Sequence, residues 1–214
     1  MKAQLLHGED SNSSRRMQGK RSLANYEACK HDLGKELGLL FSTYHSALAE
    51  TQTLLLGFPP EYRSKALEAG IMQSNFAKYL HANFNERTFY GKYKRLILRT
   101  DGYLILFKKL DGKGYPMNIK TQNVQSILSQ QQTLDLFAES NYNDEPILYF
   151  GYQKDKLNAY VNPQLIYIDE GEIKFSITEK DLGNDLYRED KNIVTPPAGP
   201  QPTLKNVIPI KKVQ

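Results

Sequence analysis

The stretch KRLILRTDGYLILFKK, residues 94–109, decides the fold. Two aliphatic runs flank Thr100-Asp101-Gly102, and an Asp-Gly pair between apolar runs is a strong signal for a tight hairpin turn. Residues 94–99 and 103–109 therefore read as paired antiparallel strands. A second turn signal, Asp111-Gly112-Lys113-Gly114, follows, and residues 115–120 (YPMNIK) read as a third strand, completing an antiparallel three-stranded meander. Pro116 suits the beginning of an edge strand, where its missing N–H leaves no gap in the ladder.

Outward toward the N-terminus the period changes from strand to helix. Leu33, Leu37, Leu40, Phe41, Tyr44 and Leu48 fall on one helical stripe, which predicts a first helix over 23–55. Gly34 and Gly38 weaken its early part and predict a kink or a later start. Gly57-Phe58-Pro59-Pro60 ends it and opens a second helix, which runs to about residue 84 and carries Leu67, Ile71, Phe76 and Leu80. Outward toward the C-terminus, Thr121 is the expected N-cap of a third helix over 122–137. Its apolar side is Val124, Ile127, Leu128, Leu134 and Phe137, with Gln130, Gln131 and Gln132 on the exposed face. Residues 147–152, 164–168 and 172–177 read as further antiparallel strands, and Asp169-Glu170-Gly171 makes the last two a hairpin.

The expected fold class is α+β: N-terminal helices, an antiparallel three-stranded meander, a helix and further antiparallel strands. Residues 1–22 are polar without periodicity and read as disordered. Residues 23–182 form the α+β domain, helical over 23–86 and sheet-containing over 87–182. Residues 183–214, with Thr195-Pro196-Pro197-Ala198-Gly199-Pro200-Gln201-Pro202, read as a flexible Pro-rich tail.

Composition excludes several classes. There is one cysteine, Cys29, so no internal disulfide supports the fold. His31 is two residues from Cys29, a spacing that points the two side chains apart on a helix, and Cys29 reads as structural. No GxxxxGK[ST], HExxH, Gly-x-Ser-x-Gly or Cys/His ligand pattern occurs, and His7, His31, His45 and His81 are scattered. No apolar run is long enough to span a bilayer, and the first residues lack the apolar core of a signal peptide. The expectation is a cytoplasmic protein without a membrane partner. The Lys/Tyr/Asn-rich texture resembles small bacterial accessory proteins.

Net charge is only +4, but it is unevenly spread. Residues 87–120 hold nine Lys/Arg against two acids, and residues 133–190 hold thirteen acids against five Lys/Arg. The basic segment makes Arg87, Lys92, Lys94, Arg95, Arg99, Lys108, Lys109 and Lys113 the candidate nucleic-acid-binding residues. Cations there neutralise phosphates, and interleaved rings such as Phe89, Tyr90 and Tyr93 are available to stack on bases. DNA or RNA is the partner this implies. The acidic C-terminal half, with Asp169, Glu170, Glu172 and Glu179, implies instead a basic protein partner.

From the second helix onward the expected order is α-β-β-β-α-β, which resembles the core of the PD-(D/E)XK nuclease superfamily. That resemblance implies a metal-binding acid near the second strand, a second acid on the third, and a lysine two residues later. Asp101, Asn118 and Lys120 are the candidate catalytic residues on this reading, with Asp101 as metal ligand and Mg²⁺ as the cofactor. Asn118 stands where the second acid belongs, and a neutral amide is a poor Mg²⁺ ligand. No other cofactor is implied. Three readings of function stay open: a noncatalytic nucleic-acid-associated or regulatory binding protein using the basic meander, an active or degenerate nuclease, and a protein-interaction or immunity-type module.

Overall fold

The computed structural model describes residues 22–91, 94–117, 121–131 and 145–183. The chain divides into two compact units. Among the described residues, one comprises 22–38 with 86–183 and the other 39–85.

The first unit is built on a six-stranded sheet in sequential order. Its strands are β1 (Thr88–Gly91), β2 (Arg95–Thr100), β3 (Tyr103–Lys109), β4 (Ile147–Lys154), β5 (Tyr160–Asp169) and β6 (Glu172–Thr178). The hairpin expected at 94–109 is present. Thr100 pairs with Tyr103 across Asp101 (φ 47°) and Gly102 (φ 80°), the two positive φ angles that a two-residue turn of this hand requires.

Three strand expectations change. The meander is β1-β2-β3, and its first strand, Thr88–Gly91, was not anticipated. The strand expected at 115–120 is not formed in its described part. Residues 110–117 fold back on themselves through a single bridge between Leu110 and Pro116, with Met117 N donating to Lys109 O at 2.9 Å. Asp111 holds this turn, its Oδ1 accepting from Lys113 N and Tyr115 N. Finally, β4 runs parallel to β3. A parallel neighbour needs a crossover, and α4 (Gln122–Leu128) lies within it.

Helices of the unit pack on both faces of this sheet. On one, Ile97, Leu104, Leu106, Ile147, Tyr149, Ile166 and Ile168 pack with Ile127 of α4. On the other, α1 (Tyr26–Asp32) sets Tyr26 edge-on to Phe175, and Tyr103 Oη donates to Asp32 Oδ2 at 3.2 Å. Asn25 caps α1 by accepting from Glu27 N and Ala28 N, and Thr121 caps α4 as its sequence position implies.

The first long helix expected over 23–55 is two helices. α1 ends at Asp32, Leu33 is its C-cap, and α2 (Gly34–Leu56) begins at Gly34. The second unit pairs residues 39–56 of α2 with α3 (Lys65–Phe84), which Ser64 caps. Tyr44 meets Phe76 edge-on, Lys78 reaches Glu50 at 2.6 Å, and the buried Asn75 donates to Thr51 Oγ1.

The helix expected over 122–137 ends, as an α-helix, at Leu128. Gln130 turns out of it with φ 53° and is fully buried, not exposed as the helical period implies. Leu134, Phe137 and both chain ends expected to be disordered lie outside the described residues. No described helix is long and apolar enough to cross a membrane.

Candidate functional site

The basic residues of the meander do not form one surface. Arg99 makes a two-pronged pair with Glu145, Nε to Oε1 at 2.8 Å and Nη2 to Oε1 at 2.6 Å. Arg87 Nη1 approaches Glu36 Oε1 at 3.4 Å and donates to Thr100 Oγ1 at 3.2 Å. Both guanidinium groups are thus matched by acids of the same unit. Lys109 alternates to the α1 face of β3, Lys113 is exposed in the 111–114 turn, and Lys94 is exposed ahead of β2 with φ 54°. Lys92 lies outside the described residues.

Arg95 and Lys108 differ from all of these. The β2–β3 register ends at the pair Ile97–Leu106, and Arg95 and Lys108 are the next residues on the same face, close enough for the Arg95 charge to act on the Lys108 ammonium. Gly91 pairs with Arg95 on the β1 side, Lys108 with Gly151 on the β4 side, and Gly151 with Gln164 beyond. Gly91, Arg95, Lys108, Gly151 and Gln164, one from each of β1 to β5, include no acid. The adjacent row, Phe89–Ile97–Leu106–Tyr149–Ile166, is apolar.

Arg95 and Lys108 are both half-buried. Arg95 Nη1 is shut off from solvent with no hydrogen-bond partner among the described residues. Burial holds the Lys108 ammonium below the usual lysine range, and the facing Arg95 charge lowers it further. Like charges set directly opposite on a sheet destabilise it by about 0.2–1 kcal/mol. Such an arrangement is a natural receiver for an anion, which supplies the missing charge and acceptors together.

The nuclease-type constellation does not assemble among the described residues. The third strand of the sheet is Tyr103–Lys109, and neither it nor β2 carries an acid. Asp101 sits in the β2–β3 turn, where its Oδ2 accepts from Thr100 Oγ1 at 2.9 Å. The turn lies at the opposite end of the hairpin from Arg95 and Lys108, about 20 Å away at ordinary strand rise. Asn118 and Lys120 lie outside the described residues. No group of three or more His, Cys, Asp or Glu among the described residues is placed to hold a metal. The described donor set therefore does not fit Mg²⁺.

Cys29 is fully buried in α1. Burial, aided by the Asp32 carboxylate, pushes its thiol from 9.0 up to about 12. A neutral, enclosed thiol is inert. The expected result is that a thiol reagent leaves the native protein unlabelled at neutral pH and labels it fully in denaturant, read by mass shift. Because the folded thiol keeps its proton longer than the unfolded one, its contribution to stability is intact below about pH 9 and is lost as pH rises toward 12.

No protein-family model, curated protein or solved structure matches the chain.

Proposed function

We propose that the protein is a noncatalytic, nucleic-acid-associated binding module whose phosphate contacts centre on Arg95 and Lys108. The observation that carries this reading is the neighbouring pair of half-buried cations, with no acid at the flanking positions Gly91, Gly151 and Gln164. A fold that holds two like charges together, while giving Arg87 and Arg99 acid partners, keeps the first pair available for something else. Exposed Lys94, Lys109 and Lys113 add attraction at longer range, which helps capture a polyanion without fixing its position.

The test is a titration of labelled single-stranded DNA and RNA at about 50 and about 200 mM salt. For about three phosphate contacts, affinity is expected to fall about 20-fold between these conditions. Binding of neither polymer, or binding indifferent to salt, overturns the reading.

One observation favours a degenerate nuclease core as the origin of this module. The element order α3-β1-β2-β3-α4-β4, with β3 and β4 parallel, is compatible with the αβββαβ pattern of that superfamily. Without acids on β2 or β3, the reading it supports is a noncatalytic relic. Plasmid incubated with the protein and Mg²⁺ or Mn²⁺ is therefore expected to stay intact.

A further inference from the structure

We infer that Arg95 and Lys108 form a receptor for a single phosphate monoester, the terminal phosphate of a nucleic-acid strand, and do not form part of a track along its backbone. The inference rests on the nucleic-acid reading for the identity of the ligand, but not for the chemistry of the receptor.

Three features carry it. First, the cations are two and adjacent. Together they carry the charge that a terminal phosphate brings, close to −2 at neutral pH, whereas each backbone diester brings −1. Arginine and lysine also differ usefully here: the guanidinium offers a planar fork to two phosphate oxygens, and the ammonium acts as a point charge beside it.

Second, the pair is isolated along the strand direction. The next residue on the same face of β2 is Ile97, which is buried, and the one after it is Arg99, already gripped by Glu145. On β3 the preceding residues of that face are Leu106 and Leu104, both buried in the apolar cluster. A strand laid across this face would therefore find one cationic step and then a hydrophobic one. A groove that follows a backbone needs repeated cations, and the next cation along β2 on this face, Arg99, is already paired with Glu145.

Third, the flanks of the pair are shaped by glycine. Gly91 stands beside Arg95 and contributes no side chain over it. On the other side, Gly151 stands beside Lys108, and Leu110 occupies the space over that glycine, with its Cγ only 2.7 Å from where a Cβ would stand. The ammonium thus has an apolar wall on one side, while the guanidinium has a neighbour without a side chain on the other. Arg95 Nη1 is unpartnered among the described residues and closed to solvent, so an arriving phosphate must draw the guanidinium outward to use that donor.

The experiment uses the full chain and its Arg95→Gln and Lys108→Met variants. Fluorescence anisotropy compares one single-stranded oligonucleotide carrying a 5′-phosphate or a 5′-hydroxyl, with inorganic phosphate as a third probe followed by the shift in melting midpoint. The expected result is that the 5′-phosphate strand binds about tenfold or more tightly than the 5′-hydroxyl strand, as charge-assisted contacts to one extra anionic group imply. Each variant abolishes that preference, so that the two strands bind it equally. Both variants should melt at or above the wild-type midpoint, since each removes one of two facing like charges. If either variant fails to fold, the other carries the comparison.

Equal binding of the two strands by the wild type, with no shift from inorganic phosphate, overturns the receptor and leaves the general polyanion reading standing. Binding of neither strand, together with a midpoint raised by inorganic phosphate in the wild type but not in the variants, upholds the receptor and removes nucleic acid as its ligand.

Discussion

Gly151→Ala is expected to destabilise the protein by about 3 kcal/mol, the upper part of the range for overpacking a dense core. Gly151 lies on β4 beside Lys108, where β3 and β4 run parallel. A Cβ at this position would overlap the main-chain oxygen of Lys108 and come within 2.7 and 2.8 Å of Leu110 Cγ and Cδ2. Leu110 is itself buried and belongs to the apolar cluster on that face, so its retreat would disturb Ile127 and Tyr149 as well. The backbone oxygen cannot rotate away as a flexible side chain could. Relief must therefore come from separating β3 and β4, the central pair of the sheet. Gly70→Ala supplies the control. Nothing lies within 4 Å of its would-be Cβ, and it sits inside α3, so alanine there should stabilise by about 1 kcal/mol. Urea denaturation of the two variants should thus move in opposite directions from wild type. A Gly151→Ala midpoint equal to wild type would mean that the β3–β4 approach is not as close as described.

Gly151 also illustrates what a sequence discloses and what it withholds. The 94–109 hairpin is legible because the information is local: an Asp-Gly pair sets the turn, and the turn sets the register. A two-residue loop at 101–102 pairs Thr100 with Tyr103, and the register runs out to Ile97 and Leu106, with Arg95 and Lys108 next on the same face. The central pair of the candidate site could therefore have been found by extending the turn into a register, not by counting basic residues along a segment. β1 was missed because its four residues, Thr88–Gly91, follow directly on the end of a helix and are too short to show a period of their own. The Asn85–Arg87 turn that separates them has no proline or glycine to announce it.

Other features arise only between distant residues. The pairing of β3 with β4 joins segments separated by α4 and depends on the handed path of a crossover. Neutralisation of Arg87 by Glu36 and of Arg99 by Glu145 links positions 51 and 46 residues apart. Charge counted along the chain therefore overstates the basic surface. The segment 87–120 is basic in sequence, but its arginines at 87 and 99 are spent within the fold, and among the described residues Arg95, Lys108 and the exposed lysines 94, 109 and 113 are left for a partner. Local bias in charge is evidence of a binding surface only after long-range pairing has been subtracted.

Gln130 is the sharpest case, because a polar residue on the far face of the helix expected over 122–137 reads as exposed while here it completes the sheet. Its side-chain amide stands between the start of β4 and the end of β5, one rung beyond the Leu148–Tyr167 pair. Oε1 accepts from Ile147 N at 2.8 Å, and Nε2 donates to Ile147 O at 2.9 Å and to Ile168 O at 2.7 Å. The amide thus does the work of a peptide unit where no strand is present. Gln130→Ala would strand one buried donor and two buried acceptors, and each such group costs about 1–3 kcal/mol. A loss of about 3 kcal/mol or more is expected, again by urea denaturation. Gln130→Glu is the more discriminating change, since it keeps the shape and one acceptor but removes the donor. An ionised carboxylate would face two carbonyl oxygens inside the core, so its folded pKa should lie above the unfolded value of about 4.3. A raised folded pKa means that the folded state binds the proton more tightly. Stability of this variant should therefore be greatest at low pH and fall as pH rises above about 4.3, a dependence the Gln130→Ala variant should lack. If both variants show the same pH profile, the amide is not placed between those carbonyls, and the joint between β4 and β5 must be held by packing alone.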